Sequence, residues 1–145
     1  MEVDITGAAI PRFPRIAIAS FARSCVKEAR RARAARFEPS TLSIAFVDDR
    51  EMARLNAAYR GKRRTTDVLT FEGEEEPDGS RPLGEIVISI ERAKAQAREE
   101  QHSLATEVRY LILHGVLHAF GWDHENDSGE MNALELELRH RVGLE

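Results

Sequence analysis

Residues 103–124 read SLATEVRYLILHGVLHAFGWDH, and the fold turns on this stretch. Leu104, Val108, Leu111, Ile112, Leu117 and Phe120 recur at helical spacing and cover much of the circumference. A helix that is apolar nearly all round belongs in the interior, so 103–120 is expected to be the buried central helix. Gly121 should end it, because glycine accepts the left-handed conformation that stops a helix and reverses the chain.

Upstream, LGEIVISI (83–90) is the densest run of β-branched residues in the chain and reads as a strand. A helix over 91–101 joins it to the central helix near Gln101-His102-Ser103. Downstream, 127–142 reads as a last helix. Asp127 and Glu130 resemble a capping box, and Met131, Leu134 and Leu138 follow at helical spacing. Toward the N-terminus, 14–36 is expected to be helical. Pro14 opens it, and Ile18, Ala22, Cys25 and Ala29 form its apolar stripe. TLSIAFV (41–47) alternates, with Leu42, Ile44 and Phe46 on one face of a strand. Residues 49–59 read as a helix with Met52, Leu55 and Tyr59 inward, followed by a turn at Arg60-Gly61 and a short strand over 68–71. EGEEEPDGSRP (72–82) is a loop by composition. A further strand over 2–6 brings the total to about four strands and five helices, a mixed α/β domain spanning 1–145.

The 145 residues (16.3 kDa), 42% hydrophobic and 32% charged, suit one domain with a real core. No run of about 18 apolar residues offers a membrane span, and no signal peptide is expected at the N-terminus. The one cysteine, Cys25, excludes an intramolecular disulfide and fits a reducing, cytoplasmic setting; its place on an apolar stripe makes it core filler. The net charge of −4 is unevenly spread. Residues 23–36 and 60–64 together hold ten of the 21 Lys and Arg residues, whereas Glu72, Glu74, Glu75, Glu76 and Asp78 cluster elsewhere. Such polarity can attract a polyanion despite a negative total, although Arg- and Ala-rich helices are also often simply solvated.

Three of the five histidines fall in HGVLHAFGWDH (114–124). His114 and His118, at i and i+4, share one helix face, and Gly121 lets the chain swing His124 back toward them. The pattern H-x3-H-x2-G-x2-H is the spacing of the metzincin zinc site. Three histidines leave one coordination position open, as in catalytic rather than structural zinc; imidazole makes zinc the first choice, with other divalent transition metals still open. Zinc peptidases of this pattern carry a glutamate general base directly after the first histidine, where this chain has Gly115, so peptidase chemistry by that route is disfavoured. A phosphodiester hydrolase would use the metal together with a cation. Arg60 is the candidate for stabilising transition-state charge, against the plain alternative of an exposed turn arginine; Lys62, Arg63 and Arg64 are possible substrate contacts. Trp122 could stack on a base or simply pack, and Asp123 could orient a ligand imidazole or cap a turn. His102 and His140 fit no motif and read as surface histidines.

HGVLHAFGWDH resembles the YbeY family of bacterial rRNA-maturation endoribonucleases. Tyr59-Arg60-Gly61-Lys62 with Thr66-Asp67-Val68-Leu69-Thr70-Phe71 is similar to its second block, and LGEIVIS (83–89) to its third. The resemblance spans about 41–138. It implies one α/β domain with a small mixed sheet, zinc held by His114, His118 and His124, and Arg60 as the functional arginine. It also implies cleavage of single-stranded RNA, 3′-end maturation of small-subunit ribosomal RNA and ribosome quality control. The partners it implies are the small ribosomal subunit and a ribosome-assembly GTPase. Ala119 stands where the family commonly has Leu, Trp122 where it has Tyr, and Thr70 where it has Ser. Two other classes compete: a metallohydrolase of peptides or small molecules, with an acid such as Glu125 as base, and a non-catalytic ribosome-binding module that merely holds metal.

Overall fold

Alternating apolar residues build the sheet, and the helices cover both of its faces. The computed structural model describes residues 1–60, 66–123 and 128–144. In chain order the elements are β1 (Glu2–Gly7), α1 (Arg15–Arg31), β2 (Thr41–Val47), α2 (Asp49–Arg60), β3 (Val68–Glu72), β4 (Gly84–Ser89), α3 (Ile90–Glu99), α4 (Leu104–Ala119) and α5 (Glu130–Arg141). The strands form one sheet in the order β1-β2-β4-β3, with β3 antiparallel on β4 and the other pairs parallel. Among the described residues this is the expected small mixed sheet of four strands with five helices, in one α/β domain.

Leu42, Ile44, Phe46, Ile86 and Ile88 point into the larger core, beneath α1 and α4. Val87 and Leu69 point the other way and meet Met52 of α2. Because β4 is covered on both faces, Ile86 through Ser89 are all buried, which is why LGEIVISI reads as a continuous apolar run. Ser89 caps α3 by accepting from the Arg92 backbone N–H, and its hydroxyl donates to Asp49 at 2.7 Å, tying α3 to the start of α2. Ser103 caps α4 in the same way through Thr106. As expected, α4 is the central helix: it touches α1, α3, α5, β3 and β4, and Val108, Ile112, Leu113, Val116 and Leu117 are wholly buried. Cys25 is wholly buried on the α1 stripe, and burial pushes its thiol pKa well up, so it is core filler.

Four expectations are corrected. The helix expected over 14–36 ends at Arg31, because Arg33 turns left-handed (φ 58°) and buried Ala34 closes the end by bonding the Ala29 carbonyl at 2.7 Å. Pro14 takes the cap position just outside that helix. The last helix starts at Glu130 behind left-handed Gly129; Asp127 lies outside the described residues. Tyr59 is 67% exposed rather than inward. Met52 and Asn56 are the buried residues of α2, while Tyr59 in its last turn only leans edge-on against Phe71 of the edge strand β3.

Candidate active site

Buried helices carry polar side chains only where those reach the surface or a partner. From Leu111 to Phe120 every residue is buried except His114 and His118. One turn apart, their rings meet edge to face with centroids 4.5 Å apart, and their Nε2 atoms stand 3.0 Å from one another. At that separation one proton, or one cation, must lie between the two nitrogens. Nitrogens bound to one tetrahedral zinc at about 2.0–2.1 Å would sit about 3.3 Å apart, so this donor pair fits such an ion with little adjustment.

Beyond His118 the chain turns back. Gly121 is left-handed (φ 95°); its N–H bonds the His118 carbonyl at 2.8 Å, and the Trp122 N–H bonds the Leu117 carbonyl at 3.1 Å. This paired closure is a Schellman motif. Trp122 packs against the core, donates its indole N–H to the Ala34 carbonyl at 2.9 Å and lies under the Arg36 guanidinium at 4.9 Å. Asp123 comes next, partly buried. His124 lies outside the described residues, as do Lys62, Arg63 and Arg64; Arg60 is the last residue of α2, and its side chain is likewise outside them. Among the described residues no group of three or more His, Cys, Asp and Glu side chains is placed to hold a metal.

Gly115 faces the sheet. A Cβ there would sit 2.8–2.9 Å from three side-chain atoms of Ile86 on β4. At the position that holds the general base of zinc peptidases, a side chain would thus run into Ile86 of the sheet.

Two residues that sequence reasoning missed complete the site. Glu135 on α5 is buried and accepts from the His114 Nδ1–H at 2.5 Å, while Arg139 donates to its other oxygen at 3.1 Å. Burial alone would push the Glu135 carboxyl up, but the His114 hydrogen bond and the charges of His114 and Arg139 outweigh it and hold it below the ordinary glutamate value. The available signal was an acid on the stripe Met131, Glu135, Leu138. His102 is no bland surface residue either: it donates to buried Glu107 at 2.7 Å and stacks on Tyr110. Burial pushes Glu107 up, partly offset by that hydrogen bond. A groove of about 410 Å³ runs along this face of α4, lined by Asp67, His102, Glu107, Tyr110, His114 and Glu135 among others. Several bases of the run at 23–36 are engaged within the protein: Arg31 pairs with Glu28, Arg30 with Glu38, and Arg23 donates to the Met1 carbonyl.

Fold and site define a one-domain α/β protein whose buried central helix presents a converging histidine pair beside a polar groove. The family model described as Endoribonuclease YbeY matches residues 11–143. The Endoribonuclease YbeY of Solibacter usitatus is 45% identical over 130 residues, covering 90% of this chain and 80% of that protein. That of Nautilia profundicola is 47% identical over 103 residues, covering 71% and 73%. The solution structure of TM1509 from Thermotoga maritima superposes with a TM-score of 0.56 at 25% identity, covering 97% of this chain and 88% of that one. The chain belongs to the YbeY endoribonuclease family, and so to the RNA-cleaving hydrolases. Among the described residues no helix is long and apolar enough to cross a membrane.

Proposed function

We propose that this protein is a metal-dependent endoribonuclease of single-stranded RNA that acts in the cytoplasm in 3′-end maturation of small-subunit ribosomal RNA. The observation that carries the metal dependence is the convergence of the His114 and His118 Nε2 atoms at 3.0 Å on the solvent edge of a buried helix. By the sequence spacing His124 is the third ligand, and zinc suits three imidazoles with one open position. When bound, such an ion supplies Lewis acidity toward a phosphoryl oxygen and an acidified water. The chain's own residues do the rest. Arg60 stabilises charge on the phosphoryl group, and Lys62, Arg63 and Arg64 hold the backbone of the strand. The ribosomal substrate, the small subunit and a ribosome-assembly GTPase as partners rest on family membership. Peptide hydrolysis is the weaker reading, because the position of its usual base is closed by Ile86.

The test is cleavage of a single-stranded RNA by zinc-loaded wild type, His118→Ala and Arg60→Ala. Cleavage should disappear in the first variant and fall by about 10²–10³-fold in the second, the scale of losing one transition-state donor. Wild-type rates in His118→Ala would overturn the proposal. The product ends identify the nucleophile: a 2′,3′-cyclic phosphate, with a block at a 2′-deoxy linkage, means attack by the 2′-OH.

A further inference from the structure

A carboxylate on the buried stripe of a helix is costly unless it is fully partnered. Glu135 occupies such a position between Met131 and Leu138, both wholly buried, where a leucine would extend the core. Both of its oxygens are engaged. Oε1 accepts from the His114 Nδ1–H at 2.5 Å, and Oε2 accepts from Arg139 at 3.1 Å. Arg139 is itself held over the Tyr110 ring at 4.7 Å. A carboxylate gripped at both ends does not rotate, so it fixes the plane of the imidazole it touches. It also fixes the tautomer: a proton on Nδ1 leaves Nε2 as the nitrogen that can bind a cation, and Nε2 is the atom turned toward His118.

We infer that Glu135, braced by Arg139, is the positioning residue of the metal centre, holding His114 in the Nδ1–H form with Nε2 directed at the ion. The inference rests on the metal-centre reading above and deepens it by adding a residue from a different helix, 21 positions away in sequence.

The experiment uses the whole chain, stripped of metal, as wild type, Glu135→Met and Glu135→Gln. Methionine keeps the volume and removes the acceptor, which suits a buried stripe and lets the variant fold. Glutamine keeps an acceptor oxygen. Two readouts are taken: zinc affinity by competition with a chromophoric chelator, and the His114 tautomer in metal-free protein from its ¹⁵N ring shifts. Glu135→Met should bind zinc about 10–100-fold more weakly and lose the Nδ1–H form, with Glu135→Gln recovering part of the affinity. If Glu135 merely tied α5 to α4, Glu135→Met would lower the metal-free unfolding midpoint yet keep wild-type zinc affinity and tautomer; that result overturns the inference. A wild type that takes up no zinc removes the metal-centre reading instead. The tautomer then decides alone: a form lost in Glu135→Met supports the positioning role, and the same form in both proteins overturns it.

Discussion

Gly115 illustrates how one residue can serve packing and chemistry at once. Its missing side chain brings α4 against Ile86, and the same absence leaves no general base next to His114. Alanine at this position gains about 1 kcal/mol of helix propensity but overpacks a branched, boxed-in neighbour at a cost of about 1–3 kcal/mol. Gly115→Ala is therefore expected to lower stability by about 1 kcal/mol in urea unfolding, and Gly115→Glu to prevent stable folding. Glu107 and Glu135 make opposite contributions to pH dependence. The folded protein holds the Glu107 proton more tightly than the unfolded chain, so this group's contribution falls as pH rises from the ordinary value of 4.5 through its raised folded value. Glu135 is the reverse: its contribution is present above 4.5 and is lost as pH falls through its lowered folded value. Metal-free Glu107→Gln should gain stability relative to wild type as pH rises above 4.5, while Glu135→Gln should show a shallower loss on acidification. Parallel curves for all three proteins would refute both assignments.

Among the elements, the helix ends share a common device. The ends of α1, α3, α4 and α5 each place a left-handed residue, Arg33, Gln101, Gly121 and Gly143, just past the cap, with the same pair of backward hydrogen bonds. Glycine marks two of them in the sequence. Arginine and glutamine hide the other two, which is why the first helix reads five residues too long. A side chain in the left-handed region costs about 1–2 kcal/mol, offset by the greater entropy that glycine loses on folding, about 0.5–1 kcal/mol. Gln101→Gly should thus raise stability by up to about 1 kcal/mol, and Gly121→Ala should lower it by a similar amount and weaken zinc binding by displacing the chain that leads to His124. Thermal unfolding and zinc titration of the two variants check both. Elements with a strong local signal, alternation in β2, an unbroken apolar β-branched run in β4 and apolar residues at helical spacing in α4, were legible from sequence because those signals survive tertiary context. Tyr59 was not: its helical phase is inward, but it touches the edge strand β3 only edge-on through Phe71 and stays 67% exposed.

For the whole molecule, the converging pair His114 and His118 was legible because its spacing is a property of one helix. Glu135 was not, because its partner lies across a tertiary contact, α5 against α4; His102 pairs with Glu107 only five residues on, but around the bend that leads into α4, which no helical or strand spacing marks. A metal that binds the fold through residues on α4 and the turn after it should also stabilise the whole domain. Zinc at a hundredfold over its Kd adds about 2.7 kcal/mol. The melting temperature should rise with zinc, fall back with chelator and ignore zinc in His118→Ala. The most direct single test of the metal centre is elemental analysis of purified wild type and His118→Ala after loosely bound metal is removed and zinc is added back. About one zinc per chain in the wild type and none in the variant is the predicted result. Equal metal in both proteins, or none in either, would contradict it.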